Sequence, residues 1–272
     1  MSEAKVQKPS GDSRLAVFID AENTPHSMTS EIMIACASFG RAIIMRAYGD
    51  WGMPGLVPWR DVFKEYPITA VQQFHIVSGK NSSDSAMNID AMDVVHQNRV
   101  DTFVLVTSDS DFTRLAMRAR EEGLRVIGIG RKTAPRSFVN ACEQFLYLEN
   151  FGPQRSRNEE EPPRRSAFRG KAAVASKERD LTAGSELLIK ASQAWQNEDG
   201  RISGGDLGFL LLRLDPGFSP RNYGVRQLAG FVAMYPDIIV ATGQFMGTND
   251  PIYKFQRQPE AGTKIDEDGQ AQ

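Results

Sequence analysis

The sequence is poor in the residues that build soft-metal and disulfide sites. It has two cysteines, Cys36 and Cys142, with no Cys-x-x-Cys spacing, and three scattered histidines, His26, His75 and His96. That scarcity argues against a zinc cluster or a disulfide framework. No apolar run is long enough to span a bilayer, and the first residues are polar with no signal-peptide core, so a soluble, reducing, cytoplasmic setting is expected, with no membrane partner. No glycine-rich phosphate loop is present, which leaves nucleoside triphosphate hydrolysis without support. Nor is there an excess of one charge: 32 basic and 34 acidic side chains give a formal net charge of -2, so global charge neither points to nucleic acid nor excludes it.

What is present is an apolar share of 41%, enough to bury a core in 272 residues, arranged from Arg14 to Phe151 as alternating β-branched runs and amphipathic stretches. Strands are expected at Leu15 to Ile19, Ala42 to Ala47, Ala70 to Ile76, Phe103 to Val106, Arg125 to Ile129 and Phe145 to Leu148. Helices are expected at Thr29 to Phe39, Leu56 to Glu65, Ser83 to Gln97 and Asp111 to Glu122, the last closed by Gly123, with a short one near Phe138. This is the punctuation of an α/β, doubly wound, mostly parallel sheet.

Residues 152–179 lose their apolar anchors and gain prolines, arginines and Glu159-Glu160-Glu161, the composition of a flexible linker. Order resumes near Leu181, where Leu187, Leu188, Ala191 and Trp195 keep helical spacing, followed by Asp206 to Leu214 and Tyr223 to Met234. Two β-like runs, Ile238 to Ala241 and Pro251 to Phe255, then read as a hairpin, and three helices with a hairpin suggest a winged helix. The domains are therefore expected at 12–151 and 180–257, followed by a polar, disordered tail over 258–272.

The first domain places carboxylates where such a sheet binds ligands, just beyond the carboxyl ends of strands. Asp20, Glu22 and Asn23 follow the first apolar run, and Ser108, Asp109, Ser110 and Asp111 follow the fourth. Turn chemistry and helix capping compete for these residue types. Asp109, nearer the strand end, is the stronger candidate for coordination, and Asp111 also suits the positive end of its helix. Between them, Asp84 falls in the first turn of the third helix and Asp90 six residues later, about 120° away at 100° per residue, so the two do not share a face. Asp84 is the expected ligand and Asp90 a cap, a brace or a rim residue. Lys80, just ahead, suits a substrate phosphate or a neighbouring acid. Carboxylates brought together repel, so the cluster calls for a shared proton or a hard divalent cation, and an all-oxygen set suits Mg2+ or Mn2+ alike.

Together, Phe18-Ile19-Asp20-Ala21-Glu22-Asn23, the stretch Lys80 to Asp90, and Thr107-Ser108-Asp109-Ser110-Asp111-Phe112 resemble the NYN domain, a PIN-like nuclease family. The resemblance implies a PIN-like fold and a metal-dependent ribonuclease. Asp20, Asp84, Asp109 and Asp111 would be its acidic set, Asn23 a positioning residue and Asp90 an auxiliary. In the second domain, Glu198-Asp199-Gly200-Arg201-Ile202, Leu207-Gly208, Leu211 and Pro216 to Gly224 resemble the LOTUS or OST-HTH winged helix, which implies RNA binding or docking to a protein partner. Arg213, Arg221, Arg226 and Lys254 are the candidate phosphate contacts there. Hydrolysis of RNA on the carboxylate site is thus expected, with a non-catalytic RNA-binding adaptor as the alternative. An Asp-x-Asp enzyme of the Toprim or nucleotide-sugar type ranks low, because Toprim chemistry wants a glutamate on the first strand. Pairing into a homodimer stays open.

Overall fold

The computed structural model describes residues 13–74, 82–151, 169–195, 197, 199–244 and 250–256, without side chains at 82–84 and 169–180. The chain divides into two compact units. Lys80, the segment 152–168 and the tail 258–272 lie outside the described residues.

The first unit alternates strand and helix: β1 (Arg14–Asp20), α1 (Thr29–Ala37), β2 (Arg41–Gly49), α2 (Trp59–Glu65), β3 (Thr69–Gln72), α3 (Ser82–Gln97), β4 (Thr102–Val106), α4 (Thr113–Glu121), β5 (Arg125–Gly130), α5 (Arg136–Ala141) and β6 (Gln144–Tyr147). The six strands lie in the order β3-β2-β1-β4-β5-β6, and every pairing is parallel. β1 is central, and its residues Leu15 to Ile19 are fully buried. Continuous apolar runs are what a strand covered on both faces requires.

Alternation along β1 divides the core in two. Leu15, Val17 and Ile19 pack with Ile32 and Cys36 of α1 and Trp59 and Val62 of α2. Ala16 and Phe18 pack with Met87 and Ala91 of α3, Leu115 and Ala116 of α4, and Phe138 and Cys142 at α5. The two cysteines are therefore buried free thiols in different cores. Burial pushes both thiols up to about 12, so neither is a reactive thiolate at neutral pH.

Each expected helix appears with adjusted ends. The fourth starts at Thr113 because Ser110–Phe112 form a separate 3-10 turn capped by Asp109. The second starts at Trp59, behind a 3-10 turn at Pro54–Leu56 and Pro58.

The second unit contains α6 (Arg169–Ala194), β7 (Arg201–Ser203), α7 (Gly204–Leu214), α8 (Leu228–Val232), β8 (Ile239–Gln244) and β9 (Pro251–Phe255). Its antiparallel sheet has the order β7-β9-β8. Leu187, Leu188, Leu207, Leu211, Phe231 and Tyr253 supply buried core. Three features depart from expectation. The helix expected over Tyr223 to Met234 shrinks to Leu228–Val232, behind a 3-10 turn at Pro220–Tyr223 that Gly224 closes in the left-handed region. The α6 backbone is helical from Arg169, inside the stretch read as linker, because Lys171-Ala172-Ala173-Val174-Ala175 carries strong helix formers despite having few apolar anchors. The hairpin gains a third strand, β7, too short to show a period-2 pattern in sequence. No helix among the described residues is long and apolar enough to cross a membrane.

Candidate active site

The chain leaves β1 toward β2 and leaves β4 toward β5, so the sheet order reverses between these two neighbours. A crevice opens at such a switch point, beyond the carboxyl ends of the strands. Asp20 is the last residue of β1, paired in register with Tyr48 of β2. Two positions after Phe18, it turns toward the same face, that of α3.

Asp20 is 2% exposed, yet its carboxylate is well supplied with donors. Oδ2 accepts from the side-chain amide of Asn23 at 2.7 Å and from the hydroxyl of Thr107 at 2.8 Å, and Oδ1 accepts the Asn23 backbone N–H at 3.2 Å. Burial raises the Asp20 pKa above the usual carboxylate range, and the hydrogen bonds from Asn23 and Thr107 oppose that rise.

Thr107 ties the second loop to the first. Its hydroxyl also accepts the backbone N–H of Asp109 at 3.1 Å, and Asp109 Oδ1 in turn accepts the backbone N–H of Asp111 at 2.9 Å. Thr24, buried beside them, donates its hydroxyl to the Val106 carbonyl at 3.3 Å. Ser108 Oγ accepts the Arg131 backbone N–H at 2.8 Å, which joins the end of β5 to the same loop. This close approach depends on Gly130, where a Cβ would overlap the Thr107 carbonyl oxygen and lie 3.0 Å from Ser108 Oγ. Asn23, whose amide holds Asp20, lines a cleft of about 440 Å3 together with Glu22, Ser108, Asp109, Arg131 and Thr133, among others. Acids and one arginine thus face a common space.

Of the residues singled out in sequence, Asp20, Asn23 and Asp109 come together here. Asp111 is exposed in the 3-10 turn. Asp90 does not join them: its Oδ2 pairs with Arg46 at 2.8 Å and accepts the Tyr48 hydroxyl at 2.9 Å, which makes it a brace between α3 and β2. The Asp84 side chain lies outside the described residues. Its backbone position is in the first turn of α3, seven residues before buried Ala91 and hence within about 20° of it around the helix. Among the described residues no three histidine, cysteine or acidic side chains gather tightly enough to hold a metal ion.

Thr107, Ser108 and Arg131 are site residues that sequence reasoning did not select. A threonine closing an apolar strand directly before the acids was a usable signal for Thr107. Arg131 offered none, since its place depends on how β5 ends beside β4. In the second unit, Arg213 lies in the last turn of α7 with its guanidinium 5.8 Å from the Phe209 ring, Arg221 sits in the 3-10 turn Pro220–Tyr223, and Arg226 follows it exposed. Lys254 lies on β9, in register with Arg201.

The model of the NYN domain matches residues 14–149, the whole of the doubly wound sheet. The chain belongs to the NYN domain family. That family is part of a PIN-like ribonuclease superfamily whose members generally use divalent metal ions. The model of the OST-HTH/LOTUS domain matches residues 182–249, so the NYN domain is followed by a module of a type that suggests RNA binding.

An uncharacterized protein of Methanocaldococcus jannaschii is 29% identical over 132 residues, covering 46% of this chain and 51% of the relative. The chain thus spans about half the length of that curated relative. The solved structure of a protein of unknown function from Vibrio parahaemolyticus is similar at a TM-score of 0.42 and 14% identity, covering 52% of this chain and 96% of that one.

The donor chemistry fits a hard divalent cation: all candidate ligands are carboxylate oxygens, and a buried carboxylate whose pKa is raised by desolvation is one that a cation would stabilise. The described side chains supply Asp20 and Asp109. The α3 backbone carries position 84 toward the same end of the sheet, because a crossover helix antiparallel to its strands begins where they end.

Proposed function

We propose that the NYN domain is a metal-dependent ribonuclease that hydrolyses RNA phosphodiester bonds in the cleft lined by Asn23 and Asp109, beside Asp20, with the OST-HTH module binding RNA. The observation that carries this reading is the juxtaposition of buried Asp20 with Asp109 through Thr107 at the switch point.

Asp20, Asp84 and Asp109 would hold Mg2+ or Mn2+, with Asp111 at the rim. A bound divalent cation supplies Lewis acidity to the phosphate and lowers the pKa of the attacking water. The remaining work falls to the chain's own residues. Asn23 and Thr107 fix the Asp20 carboxylate in one orientation, which removes a reorganisation cost at the moment of reaction. Asp109, anchored through its Oδ1 to the Asp111 N–H, keeps Oδ2 for the cleft. Arg131, which lines the same cleft as Glu22 and Asn23, would meet a phosphate oxygen. Lys80 is assigned the same kind of role on its charge alone. A reducing, cytoplasmic setting accords with the two buried free thiols.

A non-catalytic RNA-binding adaptor is the second reading. Its support is that Asp90 pairs with Arg46 and Tyr48 and not with the acids of the cleft.

Multiple-turnover cleavage of labelled single-stranded and structured RNAs, with Mn2+, Mg2+ or chelator, separates the two. The nuclease reading expects metal-dependent turnover that Asp109→Asn reduces by at least about 100-fold, the scale of one lost electrostatic contact to the transition state, while circular dichroism stays unchanged. RNA binding with no cleavage under any condition would leave the adaptor.

A further inference from the structure

The second unit holds a cleft of about 870 Å3 whose lining includes Lys254, one of the candidate phosphate contacts. Its floor is the outer face of the three-stranded sheet. Val240, Lys254 and Arg201 lie side by side in register across β8, β9 and β7, and the next residues along, Tyr253 and Ile202, turn inward and are 2% exposed. One wall is the end of α6, which contributes Ile189, Ser192 and Gln193. Just past it stands Trp195, half-buried, with its ring N–H donated to the Arg201 carbonyl at 2.8 Å. Asn197 donates to the same carbonyl at 3.3 Å, so the ring and the loop beneath it are pinned together.

Two features of this cleft suit a ligand. Arg201 and Lys254 are directly opposed on antiparallel strands, a like-charge pairing that costs stability unless an anion answers it. Both are exposed, and neither forms an ion pair with a described carboxylate, although Asp199 is also in the lining. Beside the two cations sit an aromatic ring and two side-chain amides, Gln193 and Gln256, groups suited to a flat heterocycle with polar edges rather than to an aliphatic chain. The volume is in the range of small-ligand sites.

From this geometry we infer that the cleft between α6 and the β7-β9-β8 sheet seats a nucleotide of single-stranded RNA. Its phosphate lies at Arg201 and Lys254, its base against Trp195, and its polar edge meets Gln193 and Gln256. The choice of RNA over DNA rests on the ribonuclease reading of the first unit. The cation pair, ring and amides would serve either single strand.

The test uses the full chain in chelator, so that cleavage does not enter, and follows fluorescence anisotropy of a labelled single-stranded RNA oligomer against salt. The double substitution Arg201→Gln with Lys254→Gln is expected to weaken binding at least about tenfold and to flatten the slope of log affinity against log salt by about 0.7, the contribution of the one phosphate the pair holds. Trp195→Leu should weaken binding about tenfold or more without changing the slope, and Trp195→Phe should keep most of the affinity. Unchanged circular dichroism certifies the variants. Unchanged affinity and slope in the folded double variant would overturn the assignment. Preference for a DNA oligomer of the same sequence, or capture of polyglutamate in place of RNA, would overturn it too, the latter handing the cleft to an acidic protein partner. Turnover of intact protein and Asp109→Asn is read in parallel. Loss of RNA binding in the cleft variants together with absent turnover would leave the cleft standing and remove only the nuclease reading.

Discussion

Thr107 is the hinge pin between the two acids of the site: its hydroxyl donates to Asp20 Oδ2 at 2.8 Å and accepts the Asp109 N–H at 3.1 Å. A single 1%-exposed side chain therefore sets the orientation of a buried carboxylate and the start of the neighbouring loop. Thr107→Val keeps the shape and removes both bonds. It should cost about 1–3 kcal/mol in urea unfolding, the range for losing a hydrogen bond to a charged group, and should lower cleavage further than stability alone explains. Thr107→Ser keeps the hydroxyl and should restore most of both. A valine variant as stable and active as the parent would show that Thr107 only fills space.

Asp20 makes stability depend on pH in a direction opposite to that of an ion-paired carboxylate. Burial holds its native pKa above the usual range, despite Asn23 and Thr107. Between the unfolded value, near about 4, and the higher native one, the folded state binds more protons than the unfolded state. The favourable contribution is therefore fully present below the unfolded pKa and is lost as pH rises through the native one. In chelator, unfolding free energies measured across this window should contain a component that falls with rising pH, and subtraction of the Asp20→Asn curve should isolate it. Addition of Mn2+ at neutral pH should then raise the melting temperature of the parent and not of Asp20→Asn. Superimposable pH curves for the two proteins would contradict the burial argument.

Asp90 distinguishes a brace from a ligand. Paired with Arg46 at about one-third exposure, it is expected to contribute about 0.5–1 kcal/mol, as partly exposed ion pairs do. Asp90→Asn should lower stability by that amount and leave kcat within about threefold of the parent, since carboxylates that act on the reacting phosphate cost far more when lost. A collapse of kcat in the folded variant would return Asp90 to the metal site.

The sheet and the acids at its edge were legible in sequence because both follow from strong local signals. Buried parallel strands write themselves as unbroken apolar runs, as at Leu15 to Ile19 and Phe103 to Val106, and Asp20 and Asp109 stand directly beyond them. Asp90 was harder to read, since its partners Arg46 and Tyr48 come from a strand more than 40 residues away and only tertiary pairing reveals them. Arg131 was hidden for the same reason. The three residues of β7 carry too little pattern to be seen alone, and the helical start of α6 at Arg169 shows alanine-rich propensity prevailing where apolar content predicted a linker.

Gly130 gives the sharpest steric test of the site, because its role depends on the absence of an atom. As the last residue of β5 it lies against the loop that follows β4, and a Cβ there would overlap the Thr107 carbonyl oxygen, approach Phe145 Cζ to 2.9 Å and Ser108 Oγ to 3.0 Å. Backbone cannot retreat as a flexible side chain can, so Gly130→Ala must push the 107–108 loop away from β5. The expected cost is about 1–3 kcal/mol, as for overpacking elsewhere. The displacement also moves Thr107 relative to Asp20, and a shift on the order of 1 Å at a positioned group can cost about 100-fold in rate. Gly55→Ala is the control, since its Cβ would meet nothing within 4 Å. Urea unfolding and RNA cleavage, measured on both variants, should show Gly55→Ala indistinguishable from the parent and Gly130→Ala impaired in both. Full cleavage by Gly130→Ala would mean that the close approach of β5 to the Thr107 loop is not needed for the site to work.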